Sequence, residues 1–331
     1  MSIEKWTPSS RDEWLSARST RVGSSEVGAL FGVDKRRTAF ELFAIKRGDY
    51  APAFPKTEIR ENSIHLPPPE RGNEDEARAI DLIGRLRPLW RVESNAIPGG
   101  SVYIDNEVGL AATPDCFAYD PERAGRASIQ IKSVAPLVWR KEWLIDGEPE
   151  PPVAVALQAV IDAMLSGSDR AYVAAIVQEF GIDLYLFEID LARRAPLLAK
   201  ARELARDFKR RLAENDPYAP DFGRDGAVIA SIYDDDSGPQ VDLSDDARMA
   251  AILSERETLK AREADGSDAA KARKALDSEI VARLGNAESA LVAGGGVLTA
   301  KVTRRGSYTV EATQFRTVRV KAPKAIRTAA E

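Results

Sequence analysis

The chain is 331 residues long, enough for one large domain and a smaller one. Hydrophobic residues make up 44% of it and charged residues 30%, the balance of a globular protein. The net charge of −5 and a pI near 5.4 exclude a surface that is basic throughout, so any grip on nucleic acid has to be a local groove. The single cysteine, Cys116, excludes an intrachain disulfide and fits a reducing compartment. One histidine, His65, beside one cysteine is too few for a zinc cluster and argues against a histidine-based triad. What remains is hard-cation chemistry on carboxylates, with 52 acidic residues to draw on. No apolar stretch approaches the roughly 20 residues needed to span a bilayer, and the polar start MSIEKWTPSSRDEW has no signal-peptide core. The expectation is a soluble, cytoplasmic protein with no membrane partner.

In chain order, residues 8–18 predict a helix capped by Ser9 or Ser10. Gly23 marks a loop, and Ser24 or Ser25 is placed to cap a short helix after it. Residues 38–47 predict an amphipathic helix ended by Gly48. Residues 50–70 are proline-rich and predict no clear element, with His65 in a loop. Apolar residues at helical spacing mark a helix over 72–86. Residues 101–120 predict two strands around a turn at Asn106, and 127–134 a third strand. Residues 151–166 begin with prolines and are apolar on nearly all sides, which predicts a buried helix. Strands follow over 171–177 and 182–190, then a charged helix over about 191–214.

Composition shifts at 215–240, which carry Pro, Gly and an Asp run and read as a linker. Beyond it, 244–263 and 268–285 predict a helical hairpin with a Gly266-Ser267 turn, and two strands around Gly306-Ser307 close the chain. The division is therefore 1–214, a 215–240 linker, and a 241–331 accessory unit. The alternation of helices and strands over 1–214 implies an α/β core with a mixed sheet.

Three short stretches carry chemistry together. Thr113-Pro114-Asp115 lies near a strand end, Gln130-Ile131-Lys132 on the next strand, and Glu76 on the helix upstream. The two-residue period of a strand puts Gln130 and Lys132 on one face and Ile131 in the core. Adjacent strands bring Asp115 and position 130 to one side of the sheet. Phosphodiester hydrolysis needs the phosphate charge neutralised and a water made nucleophilic, and a divalent cation on carboxylates does both. A lysine beside that water lowers its pKa or stabilises developing charge. Mg²⁺ takes only about one or two protein carboxylates and keeps several waters, so Glu76 and Asp115, with the Ile131 carbonyl as a hard ligand, meet its needs.

These residues resemble the PD-(D/E)XK nucleases, which carry Pro-Asp before a hairpin and Glu-x-Lys on the next strand. Within that class the chain resembles the YqaJ-type viral recombinases, the family of lambda exonuclease, over roughly residues 10–210. The matching pieces run in order: Arg18 followed by Ser25, Arg71-Gly72 with Glu76, Asp115, Gln130-Ile131-Lys132, Gln158 on a helix, and the strand AYVAAIV. The resemblance implies a restriction-endonuclease-like core with a mixed central sheet flanked by helices. It implies Glu76, Asp115, Gln130 and the Ile131 carbonyl as ligands of Mg²⁺ or Mn²⁺, Lys132 as the catalytic lysine, and Gln158 as a supporting residue. Arg18 and Ser25 would hold the 5′-phosphate of a DNA end, Ser25 at a helix start suiting an anion.

The implied activity is 5′→3′ exonucleolysis of linear duplex DNA in a bacterial or phage-infected cytoplasm. It would leave 3′ overhangs for a single-strand annealing protein, and a ring-shaped homo-oligomer such as a trimer fits the same resemblance. The departure is Gln130, where the family has an acid. A tolerated natural variant, a deliberate Glu→Gln change and a decayed nuclease that only binds DNA ends all stay open, as does an endonuclease of the same superfamily.

Simpler readings stand beside these. Glu76 fits the polar first turn of a helix, Asp115 a turn, Lys132 a solvated strand position, Arg18 and Ser25 a surface charge and a cap, and Gln158 a buried polar residue. Trp139, Arg140 and Trp143 fit a nucleic-acid grip and core packing equally well. Cys116 reads as a small buried hydrophobe. The basic residues Lys301, Arg304, Arg305, Arg316, Arg319, Lys321 and Lys324 fit a phosphate clamp, a docking face or a solubilising surface.

Overall fold

The computed structural model describes residues 2–53, 57–60, 63–65, 67–233, 248, 258, 266, 289–292 and 296–299. It divides into one compact unit, Met1–Asp234, and a second, Asp235–Glu331. Strand β1 (Ile3–Trp6) precedes helix α1 (Arg11–Ser19), whose N-cap is Ser10, accepting from the Glu13 N–H. Strand β2 (Val22–Gly23) passes through a 3₁₀ turn (Ser24–Glu26) into the short α2 (Val27–Leu30). Neither Ser24 nor Ser25 caps that helix. The Glu26 carboxylate instead takes the Gly23 N–H at 2.8 Å. Helix α3 (Ala39–Arg47) is capped by Thr38 and ends at Gly48, whose φ of 81° is one that a side chain would strain.

The proline-rich stretch contains a small hairpin, β3 (Glu58–Arg60) with β4 (Ser63–His65), so His65 lies on a strand rather than in a loop. Helix α4 (Pro68–Leu86) starts four residues earlier than its apolar period suggests, because proline suits the first helical turn. Strands β5 (Arg91–Ser94), β6 (Val102–Asp105), β7 (Leu110–Ala112) and β8 (Cys116–Tyr119) follow. Where two strands were expected over 101–120 there are three, because Thr113-Pro114-Asp115 breaks the second. Strand β9 (Ala127–Val134) leads into a helical turn, α5 (Pro136–Val138), and a wide turn at Trp139–Trp143. A short hairpin, β10 (Leu144–Ile145) and β11 (Glu148–Pro149), precedes α6 (Val153–Ser166). Strands β12 (Arg170–Gln178) and β13 (Ile182–Ile189) and helices α7 (Leu191–Glu214) and α8 (Gly226–Ile232) complete the first unit.

The main sheet has the order β13-β12-β9-β8-β5 and is mixed, with β9 and β12 parallel and the other neighbours antiparallel. The β9–α6–β12 crossover makes that parallel pair. Alternation along β9 decides the rest. Ile129 and Ile131 join Ala79 and Ile83 of α4 on one face, while Val134 joins Val160 and Ala163 of α6 on the other. The sheet is therefore sandwiched between helices, an α/β core with a mixed sheet as expected. A second sheet, β1-β6-β7-β2, carries the N-terminal segment beside it.

The linker-like residues that follow α7 pack on this unit. Tyr218 stacks on Phe208, Asp225 takes the Thr38 hydroxyl at 2.6 Å, and Val228 is buried. In the second unit a hairpin pairs β14 (Ser289–Val292) with β15 (Gly296–Thr299). Of the helical hairpin expected over 244–285 only Arg248, Thr258 and Gly266 are described, and all three are helical, Gly266 at the position where a turn was expected. The closing strands beyond 299 and the basic cluster they carry lie outside the described residues. Among the described residues no helix is long and apolar enough to cross a membrane.

Candidate active site

The break between β7 and β8 sets the site. Asp115 sits in that gap, and its backbone is held on both sides: its N–H donates to the Ile129 carbonyl at 3.2 Å and its carbonyl accepts from the Asn95 N–H at 2.9 Å. Asn95, buried, also donates to the Pro114 carbonyl at 2.8 Å and so braces the turn. The Asp115 carboxylate turns to β9, where Oδ2 accepts the Ile131 N–H at 2.6 Å and the side-chain amide of Gln130. Asp115 and Gln130 thus meet, as adjacent strands were expected to bring them together.

Glu76 reaches the same place from α4. The helix is anchored there by its neighbour Asp75, which is buried, accepts the Ser133 hydroxyl at 2.6 Å and the Gln178 amide at 2.8 Å, and so ties α4 to β9 and β12. Glu76 then faces the opposite carboxylate. Burial, and after it the like charge of Asp115, lift its pKa from 4.5 to about 7. Burial likewise lifts Asp115 to about 6 against the opposing pull of Lys132.

Lys132 projects from the Gln130 face of β9 and donates to Gln158 Oε1 of α6 at 3.0 Å. Burial lowers its pKa while Asp115 and the nearby Asp162 work against that fall. Gln158 lines the cleft in front of it, and Lys132 stands behind.

The cleft has a volume of about 420 Å³. Glu76, Asp115, Gln130 and Gln158 line it towards the sheet, and Trp14, Arg18 and Ser25 line it towards the N-terminal segment. Arg18 Nη2 donates to Ser25 Oγ at 2.6 Å, and its guanidinium lies 5.2 Å from the Trp14 ring centroid. Behind this pair, the buried Glu26 carboxylate is 2.8 Å from Lys46 and 3.8 Å from both Arg18 and Arg37. One carboxylate among three cations leaves that wall positive, which suits an anion. The four-residue α2 adds little dipole of its own, so the helix-start argument for Ser25 gives way to this cluster.

Arg18, Ser25, Glu76, Asp115, Gln130 and Gln158 thus line one cleft, with Lys132 bonded to Gln158 behind it. Trp139 and Trp143 do not. They are buried, stack on each other with ring centroids 5.6 Å apart, and pack against Tyr185 and Phe187, while Arg140 pairs with Glu179. That stretch is core, as β13 supplies the aromatic partners that the local sequence could not reveal. Cys116 is fully buried. Sequence reasoning missed Asp75, Asn95, Glu26 with Lys46, and Asp162. Only Asp162 had a visible signal, a lone carboxylate one turn after Gln158 in an otherwise apolar helix.

Among the described residues no three His, Cys, Asp or Glu side chains gather to hold a metal. Two raised carboxylates share the cleft with Gln130, whose Oε1 is buried without a hydrogen-bond partner. Two acids short of positive charge and an idle amide oxygen fit a hard cation that keeps several waters.

Fold and site together define an α/β protein whose cleft gathers carboxylates, an amide and a lysine at a broken sheet strand, opposite a cationic wall. No family model matches the chain, and no curated protein matches it. Among solved structures it is similar to an alkaline exonuclease, LHK-Exo, from Laribacter hongkongensis, with a TM-score of 0.42 and 18% identity over 66% of this chain and 100% of that one. A structure of LHK-Exo in complex with dAMP has a TM-score of 0.40 and 19% identity over 62% and 93%. A phage-related exonuclease from Haemophilus somnus 129PT has a TM-score of 0.35 and 15% identity over 59% and 96%.

Proposed function

We propose that this chain is a metal-dependent deoxyribonuclease of the PD-(D/E)XK type that acts on duplex DNA ends. The observation that carries this reading is the convergence of Glu76, Asp115 and Gln130, from α4, the β7–β8 gap and β9, on one cleft, with Lys132 behind them within charge range of both carboxylates. Glu76, Asp115, Gln130 Oε1 and the Ile131 carbonyl are the groups that would hold Mg²⁺ or Mn²⁺. A bound cation there supplies charge neutralisation at the phosphate and a water of lowered pKa. The protein's own groups do the rest. Lys132, fixed by Gln158, holds an ammonium proton beside the place where negative charge develops. Asp115 is oriented by the Ile131 N–H, and Glu76 is oriented by the anchoring of α4 through Asp75. Arg18 and Ser25, backed by Lys46 and Arg37, would take the terminal 5′-phosphate and set the end in register. Polarity of 5′→3′, a 3′ overhang, an annealing partner and a ring of subunits follow from the family resemblance and are part of the proposal.

One observation favours the second reading, a protein that binds DNA ends without cutting them. The Gln130 amide donates to Asp115, so an N–H points at the carboxylate where a cation would be shared. A half-turn of the amide exchanges Nε2 for the unpartnered Oε1, which is the orientation that the nuclease reading requires. Linear and closed-circular duplex should be incubated with the protein and Mg²⁺ or Mn²⁺, beside Glu76→Gln, Lys132→Ala and Gln130→Glu. The expected result is digestion of linear DNA alone, reduced about a hundredfold or more by Lys132→Ala. Tight end binding with no turnover in either the natural protein or Gln130→Glu decides for the binder.

A further inference from the structure

The nuclease reading leaves one group of the site unused. Asp162 lies on α6 one turn beyond Gln158, so the two side chains share a helix face, and that face looks onto Lys132. It is 1% exposed, and neither of its oxygens has a hydrogen-bond partner of ordinary geometry. An unsatisfied buried carboxylate costs stability, and an apolar residue would serve a helix otherwise built of Val, Ala, Leu, Ile and Met better. Burial pushes the pKa of Asp162 up to about 7; the Ser24 hydroxyl and the Thr113 backbone offset part of that, Asp115 adds to it and Lys132 opposes it.

The charges of the site show what such a group is for. Glu76 and Asp115 together balance one divalent cation. Lys132 is then left without a counter-charge, and Arg36 adds to the positive side facing it. Gln158 fixes the ammonium but brings no charge, and Gln130 brings none either. One further buried carboxylate balances Lys132, so that the cation, its two carboxylates, the lysine and this group together carry no net charge before any DNA phosphate arrives.

We infer that Asp162 is a positioning residue of this site: the buried counterion of Lys132, which lets two carboxylates and an amide hold a divalent cation beside a charged lysine. The inference rests on the nuclease reading of the cleft. It makes Asp162 and the neutral residue at 130 a matched pair, because a carboxylate at 130 stands two residues from Lys132 on the same strand face and can supply the same charge.

The test is Mn²⁺ binding to the full, DNA-free chain, followed by the electron spin resonance of free Mn²⁺, with apo melting temperature as a second readout. The natural protein is expected to bind Mn²⁺ at a site lost in Glu76→Gln. Asp162→Asn is expected to bind about tenfold or more weakly, the effect of one charge a few ångströms beyond a partly buried ion. Its apo melting temperature is expected to hold or rise, since an unsatisfied charge has gone. Gln130→Glu added to Asp162→Asn is expected to restore binding to within about threefold of the natural protein, a coupling that a structural role for Asp162 would not produce. Unchanged Mn²⁺ affinity in Asp162→Asn, or failure of Gln130→Glu to restore it, overturns the inference. So does failure of both Asp162→Asn and Asp162→Ser to fold. If the natural protein shows no Mn²⁺ site dependent on Glu76, it is the nuclease reading that fails.

Discussion

Removing the charge from Glu76 should stabilise the metal-free protein, an unusual direction for a residue at the heart of a site. Burial and the neighbouring Asp115 raise the Glu76 carboxyl from 4.5 to about 7 in the folded chain. Below pH 4.5 both folded and unfolded forms are protonated and Glu76 costs nothing. Between 4.5 and about 7 the unfolded chain ionises while the folded one still holds its proton, so stability falls as pH rises. Above about 7 the whole cost is present. A shift of that size corresponds to about 3 kcal/mol, and the half-buried position reduces the expected cost to about 1–2 kcal/mol. Urea unfolding of the natural protein and Glu76→Gln, in chelator, should therefore coincide near pH 4 and separate by that amount at pH 8, the variant being the more stable. Mn²⁺ should reverse the order. At about a hundredfold over its dissociation constant it adds about 2.7 kcal/mol to the natural protein and little to the variant. A Glu76→Gln variant equally destabilised at both pH values, or stabilised by Mn²⁺ as much as the natural protein, would refute the reasoning.

Two further outcomes test the other parts of the molecule. Arg18→Ala should weaken binding of a 5′-phosphorylated duplex end by about 1.5–3 kcal/mol and leave a 5′-hydroxyl end nearly unaffected, measured by fluorescence anisotropy at fixed salt. Equal losses on both ends would remove Arg18 from phosphate recognition. Trp143→Ala should cost about 3–5 kcal/mol of folding stability by denaturant titration, because it opens a cavity among Trp139, Phe187 and α6. If that variant keeps its stability and loses DNA binding, the aromatic stretch is an interface after all.

Residue types and local spacing made much of this protein legible. The two-residue period of Gln130-Ile131-Lys132 placed two side chains towards the site and one in the core, and β9 has that arrangement. The Ser9-Ser10 pair and Gly48 announced helix ends because capping is settled within about four residues of chain, while Thr38, read as the first helical residue, is itself the cap. Periodicity could not separate α4 from the prolines before it, and the hairpin at 58–65 had no alternation strong enough to read.

What stayed hidden was whatever depends on the approach of distant segments. Asp75 is one more acid in Gly72-Asn73-Glu74-Asp75-Glu76 until Gln178, 103 residues away, comes to bond it. Trp139 and Trp143 fit a surface grip as well as a core until β13 brings Tyr185 and Phe187 against them. Asp162 and Lys132 owe their coupling to the β9–α6–β12 crossover, which lays one helix face over one strand face. A sequence specifies backbone period, caps and the chemistry each residue can offer, because those act over a turn or two of chain. Burial, pKa and shared charge are set by whatever the fold packs nearby, and only the tertiary structure decides that.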